Sequence, residues 1–192
     1  WIAEAVGETG EIAILSAAAT AANQNVWIEA MGPYLEATYP NMSWAGGSLD
    51  SAIFYGDDDP TKSTEQFNAI VNQYPNIAGI IAPTTVGVLA AAAEKKAKGA
   101  SVKVTGLGLP SEMASYIEDG TVEKVGLWNP IDLGYVAVYA AVLGHNGEFD
   151  GAVGSSFVAG STTYTVVEGG IAFLGDPFTF TKENIATFKE IY

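Results

Sequence analysis

The chain has 192 residues, of which 48% are hydrophobic and 16% charged, and this composition predicts a folded protein with a buried core. Its net charge is −14 and all eight basic residues are lysine, which argues against binding of nucleic acids or anionic membranes. The absence of cysteine excludes disulfides, thiolate metal sites and cysteine nucleophiles.

The beginning of the chain has the composition of the last turns of a helix, at residues 1–6, and it carries no initiator Met. We therefore expect that the chain is a mature or truncated piece of a protein. The absence of a signal peptide then says nothing about where the protein is located. No apolar run reaches the roughly 18 residues expected of a membrane-spanning segment, and we expect no insertion into a membrane.

The first strand and the first long helix enclose three consecutive amide side chains. Residues 12–15 form an apolar run typical of a buried strand, and residues 26–31 have a helical pattern. Asn23, Gln24 and Asn25 stand between them, where ligands bind at the carboxyl ends of strands in an open α/β sheet. A helix cap explains Asn23 alone, whereas three adjacent amides favour a binding site for hydroxyl groups.

Strands and helices alternate along the chain as far as residue 143. Further strands are predicted at residues 52–55, 78–82, 102–105 and 122–127. Helices are predicted around residues 67–74, 86–98, 111–120 and 131–143. This alternation predicts βαβ units and a parallel sheet, so the expected fold class is α/β with a doubly wound parallel sheet.

Three segments have a different character. Residues 40–50 are rich in Gly, Ser and Asn and predict a loop, and Gly32-Pro33 is expected to kink or shorten the helix that contains it. The tail predicts short strands at residues 162–167, 171–174 and 178–180, and then a short helix from Lys182.

Two segments imitate known ligand-binding loops but depart from their patterns. The turn at residues 106–111 resembles a dinucleotide-binding loop, but Ser111 replaces the third glycine and Pro110 occupies the turn. A tight turn passing close to a strand end explains both glycines. The run Asp57-Asp58-Asp59 lacks the Gly and Glu of a calcium loop, and it predicts a solvated turn that caps the next helix.

The residues needed for nucleophilic catalysis are missing. His145 is the only histidine and is expected in an exposed loop, and the chain has no Gly-x-Ser-x-Gly segment. We therefore expect a protein that is not an enzyme and that uses neither a metal nor a cofactor.

Neutral polar and aromatic residues follow the strands instead. Asn23 and Gln24 follow the first strand, and the other candidates are Thr84, Thr85, the turn at residues 106–109, Trp128 and Asn129. Aromatic rings beside planar amides suit a sugar, whose C–H faces stack while its hydroxyls form hydrogen bonds. Core packing of Trp128 and helix capping by Thr84 or Thr85 are the alternatives.

Several motifs together resemble the sugar-binding proteins of bacterial ABC importers. They are Asn-Gln-Asn-x-Trp-Ile-x-Ala-Met at 23–31, Tyr-Gly-Asp-Asp-Asp-Pro-x-Lys-Ser at 55–63, Ile-Ile-Ala-Pro-Thr-Thr-Val-Gly at 80–87, Val-Thr-Gly-Leu-Gly-Leu-Pro at 104–110 and Leu-Trp-Asn-Pro-x-Asp-Leu-Gly-Tyr at 127–135. The resemblance is to the rhamnose-binding and autoinducer-2-binding group of the type I, ribose-binding-like receptors. It extends to Gly-Asp-Pro-Phe at 175–178 and Lys-Glu-Asn-Ile at 182–185.

This resemblance implies the periplasmic binding protein-like I fold, with two α/β lobes joined by three crossover strands and the ligand between them. The chain resembles the part after the first crossover. Residues 1–127 would form the C-terminal lobe, 128–160 a crossover and a helix of the N-terminal lobe, and 161–192 the return crossover and the C-terminal end.

The resemblance also implies the roles of several residues. Asn23 and Gln24 match an Asp-Gln pair that reads ligand hydroxyls in the autoinducer-2 receptor, and Pro83 and Thr85 match its ligand-contacting Pro-x-Ala. Trp128 and Asn129 fall at the second crossover. Because Asn replaces Asp at position 23 and Thr replaces Ala at position 85, we expect rhamnose or a related deoxysugar rather than autoinducer-2.

The expected function is therefore capture of a small sugar or sugar-like signal by closure of two lobes. The partner would be an ABC permease in the inner membrane, and the protein would be periplasmic, or extracellular and lipid-anchored in a Gram-positive cell. A sugar-sensing domain of a transcription repressor and a nucleotide-dependent α/β enzyme remain as alternatives.

Overall fold

The computed structural model describes residues 1–191, which form two compact units. The larger unit contains Trp1–Gly126 and the C-terminal stretch from Thr179, and the smaller unit is Leu127–Phe178. The assignment of these segments to the lobes of a receptor stays a prediction.

The larger unit alternates strands and helices, as the sequence predicts. Its helices are α1 (Ile2–Val6), α2 (Ala22–Thr38), α3 (Pro60–Gln73), α4 (Thr85–Lys98) and α5 (Pro110–Glu118). Its strands are β1 (Gly10–Ser16), β2 (Met42–Trp44), β3 (Ile53–Tyr55), β4 (Gly79–Ala82), β5 (Lys103–Gly106) and most of β6 (Lys124–Leu127). Short 3-10 turns at Ala45–Gly47 and Asp50–Ala52 precede β3.

The central sheet is parallel, which confirms the predicted fold class. Its strand order is β2-β1-β4-β5, and β3 pairs with the second half of β1, so that Ile14 lies opposite Ile53. The bridge between Leu107 and Gly126 places β6 beside the end of β5. All these strands end at one edge of the sheet, which we call the carboxyl edge.

The middle of β1 is the centre of the core. Residues Ile12, Ala13, Ile14 and Leu15 are completely buried, because helices cover both faces of the strand. Burial of each large aliphatic side chain contributes about 1.5–3 kcal/mol. A continuous apolar run of this kind, rather than an alternating one, is typical of a parallel strand covered on both sides.

Close contacts of small residues show which helix covers which face. A Cβ atom at Gly87 of α4 would lie 3.5 Å from the Leu15 side chain, so α4 packs on the Leu15 face of β1. A Cβ atom at Gly79 would lie 2.6 Å from Ile2 of α1, so α1 packs on the opposite face, with Ile12. The sheet is therefore a middle layer between helices, as in a doubly wound fold.

Of the two predicted effects of Gly32-Pro33, the shortening of the helix is wrong, since α2 continues to Thr38, and the kink stays a prediction. Proline removes one backbone donor and crowds the preceding turn, but Pro33 lies on the exposed side of the helix. The buried residues Ile28, Gly32 and Leu35 hold the other side against the core. Packing of this face outweighs the local cost of the proline.

Two strands were not predicted, and one predicted strand does not form. Within the segment predicted as a loop, β2 is only three residues long, and β7 (Ser156–Ala159) alternates buried and exposed side chains over four residues. Such short alternations are hard to distinguish from loop sequence. Residues 171–174, in contrast, form a single bridge from Ile171 to Val167, because they are mostly exposed between flexible glycines.

The smaller unit contains α6 (Pro130–His145), β7 and β8 (Thr162–Thr165), and the last two form an antiparallel hairpin. Phe157 packs between Phe149 and Tyr164, with ring centroids 4.8 and 5.5 Å apart. The helix α6 carries many apolar residues, yet in the described structure none of its residues is buried. No helix among residues 1–191 is both long and apolar enough to cross a membrane.

The chain ends with β9 (Phe178–Thr181), which pairs with β6, and α7 (Ile185–Phe188). These elements agree with the strand and helix predicted for the tail. His145 is exposed, but it is the last residue of α6 and not part of the following loop.

Candidate functional site

The carboxyl edge of the central sheet gathers the loops in which the sequence predicts binding residues. Ile14 of β1 lies opposite Ile81 of β4, and Ala82 lies opposite Gly106 of β5. The segments after these strands therefore leave the sheet side by side. This edge holds five of the seven predicted ligand-binding residues, Asn23, Gln24, Pro83, Thr84 and Thr85.

The amides after β1 lie in the first turn of α2. The helix begins after Ala21, which makes no side-chain cap, so the alternative that Asn23 caps the helix is wrong. Asn23 is exposed, whereas Gln24 is only 9% exposed. Among residues 1–191, neither of these two side chains has a hydrogen-bond partner. The adjacent Asn25 donates to the Ala19 carbonyl at 2.9 Å and so holds the preceding loop.

The Gln24 amide is the most informative group at this edge. Its nitrogen and oxygen are not among the fully buried side-chain atoms that lack a partner, so solvent reaches the amide although most of the residue is packed. An amide offers two donors and an acceptor in one plane, which suits the hydroxyls of a sugar. Whether the Gln24 amide contacts a ligand stays a prediction.

A fully buried polar atom lies at the same edge. Ser16 ends β1 and is completely buried, and its Oγ has no partner within the described part of the chain. Side chains alternate along a strand, so Ser16 shares the face of Ile12 and Ile14, which α1 covers. The sequence analysis did not single out Ser16, although a polar residue that closes an apolar strand is a usable signal.

The segment Pro83-Thr84-Thr85 joins β4 to α4. Pro83 and Thr84 are buried and Thr85 is half-buried. Thr84 occupies the N-cap position of α4, but its side chain does not cap the helix. Its hydroxyl donates instead to Oδ1 of Asp58, in the loop between β3 and α3. Whether Pro83, Thr84 and Thr85 contact a ligand stays a prediction.

The acidic run forms a tight turn that caps the next helix, as predicted. The Asp59 carboxylate accepts from the Lys62 amide at 2.7 Å at the start of α3, and Asp57 forms an ion pair with Lys62. No group of three potential metal-ligating side chains occurs among the described residues. The contact from Asp58 to Thr84 was not predicted, because it joins residues 26 positions apart in the chain.

The glycines of the turn after β5 are explained by packing. A Cβ atom at Gly106 would lie 1.9 Å from the Ala82 carbonyl oxygen, and one at Gly108 would lie 2.8 Å from Met113. Gly108 also donates to the Gly126 carbonyl at 3.0 Å. The glycines thus permit a close passage beside a strand end, which is the explanation favoured from the sequence, and a dinucleotide is not needed to account for them.

The lysines do not provide a cationic site at the carboxyl edge. Lys62 lies in the first turn of α3, next to the loop that follows β3, and its charge is paired with Asp57. Lys96, Lys98 and Lys103 lie at the opposite edge, where their partners are Asp119, Glu94 and Glu123. The hydrogen bond from Lys96 holds the pKa of Asp119 well below its usual range. The edge is thus better suited to a neutral polar ligand than to a phosphate.

Trp128 and Asn129, the other two predicted residues, belong to the smaller unit, and both are half-buried. Asn129 is the N-cap of α6, where its Oδ1 accepts from the amides of Ile131 and Asp132 at 2.9 and 3.3 Å. Its Nδ2 donates to the Asp132 carboxylate at 2.8 Å. The structure thus gives Asn129 a local role, and its contact with a ligand stays a prediction.

The capping role of Asn129 can be tested by substitution. Asn129→Ala removes the cap of α6 and is expected to lower the free energy of unfolding by about 1 kcal/mol, while Asn129→Ser keeps a capping oxygen and most of the stability. Urea unfolding of the intact protein measures both. A loss of L-rhamnose binding in both variants, with stability unchanged, would instead make Asn129 a ligand contact.

Comparison with known proteins identifies a family and several similar structures. Residues 1–148 match the family model of the periplasmic binding protein domain. A solute-binding protein of an ABC transporter from Clostridium phytofermentas, solved with bound L-rhamnose, is 40% identical, with a TM-score of 0.89. The match covers 100% of this chain and 63% of that one.

Two further structures share the fold. A sugar ABC transporter protein from Actinomyces odontolyticus is 39% identical with a TM-score of 0.78, over 97% of this chain and 60% of that one. LsrB from Clostridium saccharobutylicum, in complex with AI-2, is 21% identical with a TM-score of 0.82, over 97% and 63% of the two chains. The chain therefore spans about three fifths of the length of these relatives.

Proposed function

Because this chain belongs to the periplasmic binding protein family, we propose that it is part of the solute-binding component of an ABC transporter and captures a small sugar. The observation that carries the proposal is Gln24, which is only 9% exposed and whose amide has no hydrogen-bond partner within residues 1–191. An amide supplies neutral donors and acceptors for sugar hydroxyls, and the position of Gln24 at the carboxyl edge, where α/β proteins bind ligands, supports the proposal.

The preferred ligand is a rhamnose-like deoxysugar. The similar protein from Clostridium phytofermentas was solved with bound L-rhamnose, and its identity of 40% is about twice that of the AI-2 complex. The change to Asn at position 23 supports the same preference, because it removes a carboxylate that the resemblance to the autoinducer-2 receptor would require. Autoinducer-2 is the second candidate.

The smaller unit fits a two-lobed receptor. The helix α6 exposes Ile131, Leu133, Tyr135, Val138, Tyr139 and Val142 by 39–65%. An apolar surface of this kind normally marks a contact with another part of the same protein or with a partner. We propose that α6 belongs to the second lobe, that the sugar is held between the lobes, and that an ABC permease in the inner membrane receives the closed form.

This proposal places the protein in the periplasm, or on the outside of a Gram-positive cell. The sensor domain of a transcription repressor shares the fold, but that function would require a basic DNA-binding segment, which the charge of −14 does not favour. The alternative of a nucleotide-dependent enzyme rests only on the turn at residues 106–111. The glycines of this turn are accounted for by contacts with Ala82 and Met113.

A thermal-shift panel on the intact protein tests the function. A ligand that binds only the folded state stabilises it by about 4 kcal/mol at a thousandfold excess over Kd, so that a true ligand raises Tm clearly. We expect the largest rise with L-rhamnose, in a panel that includes fucose, ribose, xylose, the autoinducer-2 precursor and NAD. A rise with NAD, and none with any sugar, would contradict the proposal.

A further inference from the structure

We propose that Asp58 is a positioning residue of the binding site, which acts by holding Thr84 and with it the segment that joins β4 to α4. The proposal rests on the proposed function, because the segment it positions contains Pro83 and Thr85. Asp58 itself lies in the loop between β3 and α3 and was predicted to be only part of a solvated turn.

The loop that carries Asp58 is firmly fixed to the sheet. Gly56 and Asp57 donate their amides to the carbonyls of Ser16 and Ala17 at 2.9 Å, which ties the loop to the end of β1. The Asp59 amide donates to the Gly56 carbonyl at 2.9 Å and closes a four-residue turn. The backbone of Asp58 is therefore a rigid support.

The backbone of this turn adopts an unfavourable conformation. Asp57 and Asp58 have φ angles of 54° and 51°, in the left-handed region that residues other than glycine usually avoid. Aspartate tolerates this region better than most residues. With this conformation, the carboxylate of Asp58 reaches the neighbouring loop, whereas Asp57 and Asp59 both interact with Lys62 of α3.

The Thr84 side chain binds Asp58 instead of capping its own helix, α4. It occupies the N-cap position of α4, where a threonine hydroxyl normally accepts from the first turn of the helix. Here the hydroxyl donates to Asp58. The methyl group of Thr84 is directed toward Gly87, where an added Cβ would lie 2.8 Å from it. Both branches of the side chain are thus fixed, and Thr84 is only 4% exposed.

The consequence is a preorganised binding segment. Pro83 and Thr85 flank Thr84 in the chain, so the hydrogen bond to Asp58 restricts the backbone on both sides of it. A segment that is already ordered loses less conformational entropy when a ligand binds, and this raises affinity without adding a contact. Asp58 therefore contributes to binding through Thr84 and not through the ligand.

The test compares Asp58→Ala with Asp57→Ala. Both variants remove an aspartate with a left-handed backbone from the same turn, but only the first removes the partner of Thr84. Asp58→Ala is expected to weaken L-rhamnose binding by the intact protein about tenfold, as for the loss of one charged hydrogen bond. Asp57→Ala should leave the affinity within about twofold, and Asp58→Asn, which keeps an acceptor, should restore most of it.

A double-mutant cycle shows whether the effect passes through Thr84. Thr84→Val keeps the shape of the side chain and should weaken binding as much as Asp58→Ala does, and the double variant should be no weaker than either single one. Additive losses would overturn the proposal, as would equal losses for Asp57→Ala and Asp58→Ala.

Hydrogen exchange on the ligand-free protein separates this proposal from the proposed function. The Val88 amide donates to the Thr84 carbonyl at 3.0 Å, and Asp58→Ala should speed its exchange about tenfold relative to Asp57→Ala. If L-rhamnose does not bind the wild-type protein, the proposed function fails while this comparison still decides the role of Asp58. Equal exchange rates in the two variants would overturn that role.

Discussion

Replacing Gly106 with alanine is expected to destabilise the intact protein by about 3 kcal/mol or more. Gly106 ends β5 opposite Ala82 of β4, and an added Cβ would lie 1.9 Å from the Ala82 carbonyl oxygen and 2.7 Å from its carbon. Because the clash is with backbone, no side-chain rotation relieves it. The two strands would have to separate where Leu107 donates to the same carbonyl at 2.9 Å.

Gly108→Ala is the matched control for this prediction, since it lies in the same turn. Its added Cβ would meet side chains, Met113 at 2.8 Å and Val125 at 3.0 Å, and methionine adapts readily to a new contact. We expect a loss of about 1–2 kcal/mol. Urea unfolding, with the slope of the transition compared among variants, measures both losses. A loss at Gly106 no larger than that at Gly108 would contradict the backbone clash.

Replacing Gln24 with methionine is expected to reduce sugar affinity strongly while leaving the stability of the fold nearly unchanged. Methionine matches the length of glutamine and has a similar helix propensity, but it cannot donate or accept in the same way. Without ligand, the Gln24 amide has no hydrogen-bond partner within the described residues and is reached by solvent, so its removal breaks no polar contact of the fold. The free energy of unfolding is expected to change by less than about 1 kcal/mol.

With ligand, the same substitution removes hydrogen bonds that we propose to form with sugar hydroxyls. The expected loss of affinity for L-rhamnose is about 30-fold, measured by calorimetric titration of the intact protein. Gln66→Met, on a half-buried side of α3, is the control and should change neither affinity nor stability appreciably. Unchanged affinity with reduced stability in Gln24→Met would show that the amide is structural and would contradict its role in binding.

The layered fold was accessible from the sequence because it depends on long patterns. The apolar run at residues 12–15 and the stripe containing Phe67 and Ile70 predict elements that the structure buries completely. In contrast, β2 and β7 have only three or four residues each and depend on pairing with distant partners. In the tail, a strand was predicted that does not form, since residues 171–174 have a strand-like composition but remain mostly exposed.

The candidate site was predicted only in part. The sequence places Asn23, Gln24 and Thr84 after strands, because the carboxyl edge of a parallel sheet follows from strand order alone. It does not distinguish Gln24, which is buried, from Asn23, which is exposed, since the direction of each side chain depends on where α2 begins. The cap of α6 by Asn129 was not predicted, although an Asn followed by Pro130 at the first helical position is a usable signal for it.

The sequence by itself determined the fold class, the order of the main elements and the neutral, aromatic and amide character of the candidate site. These properties depend on composition and on periodic patterns, which are local. Only the tertiary structure decided that Gln24 is packed while Asn23 is exposed, and that Asp58 binds Thr84. Both facts depend on how segments that follow separate strands meet, and a linear sequence carries no direct signal for contacts between residues so far apart.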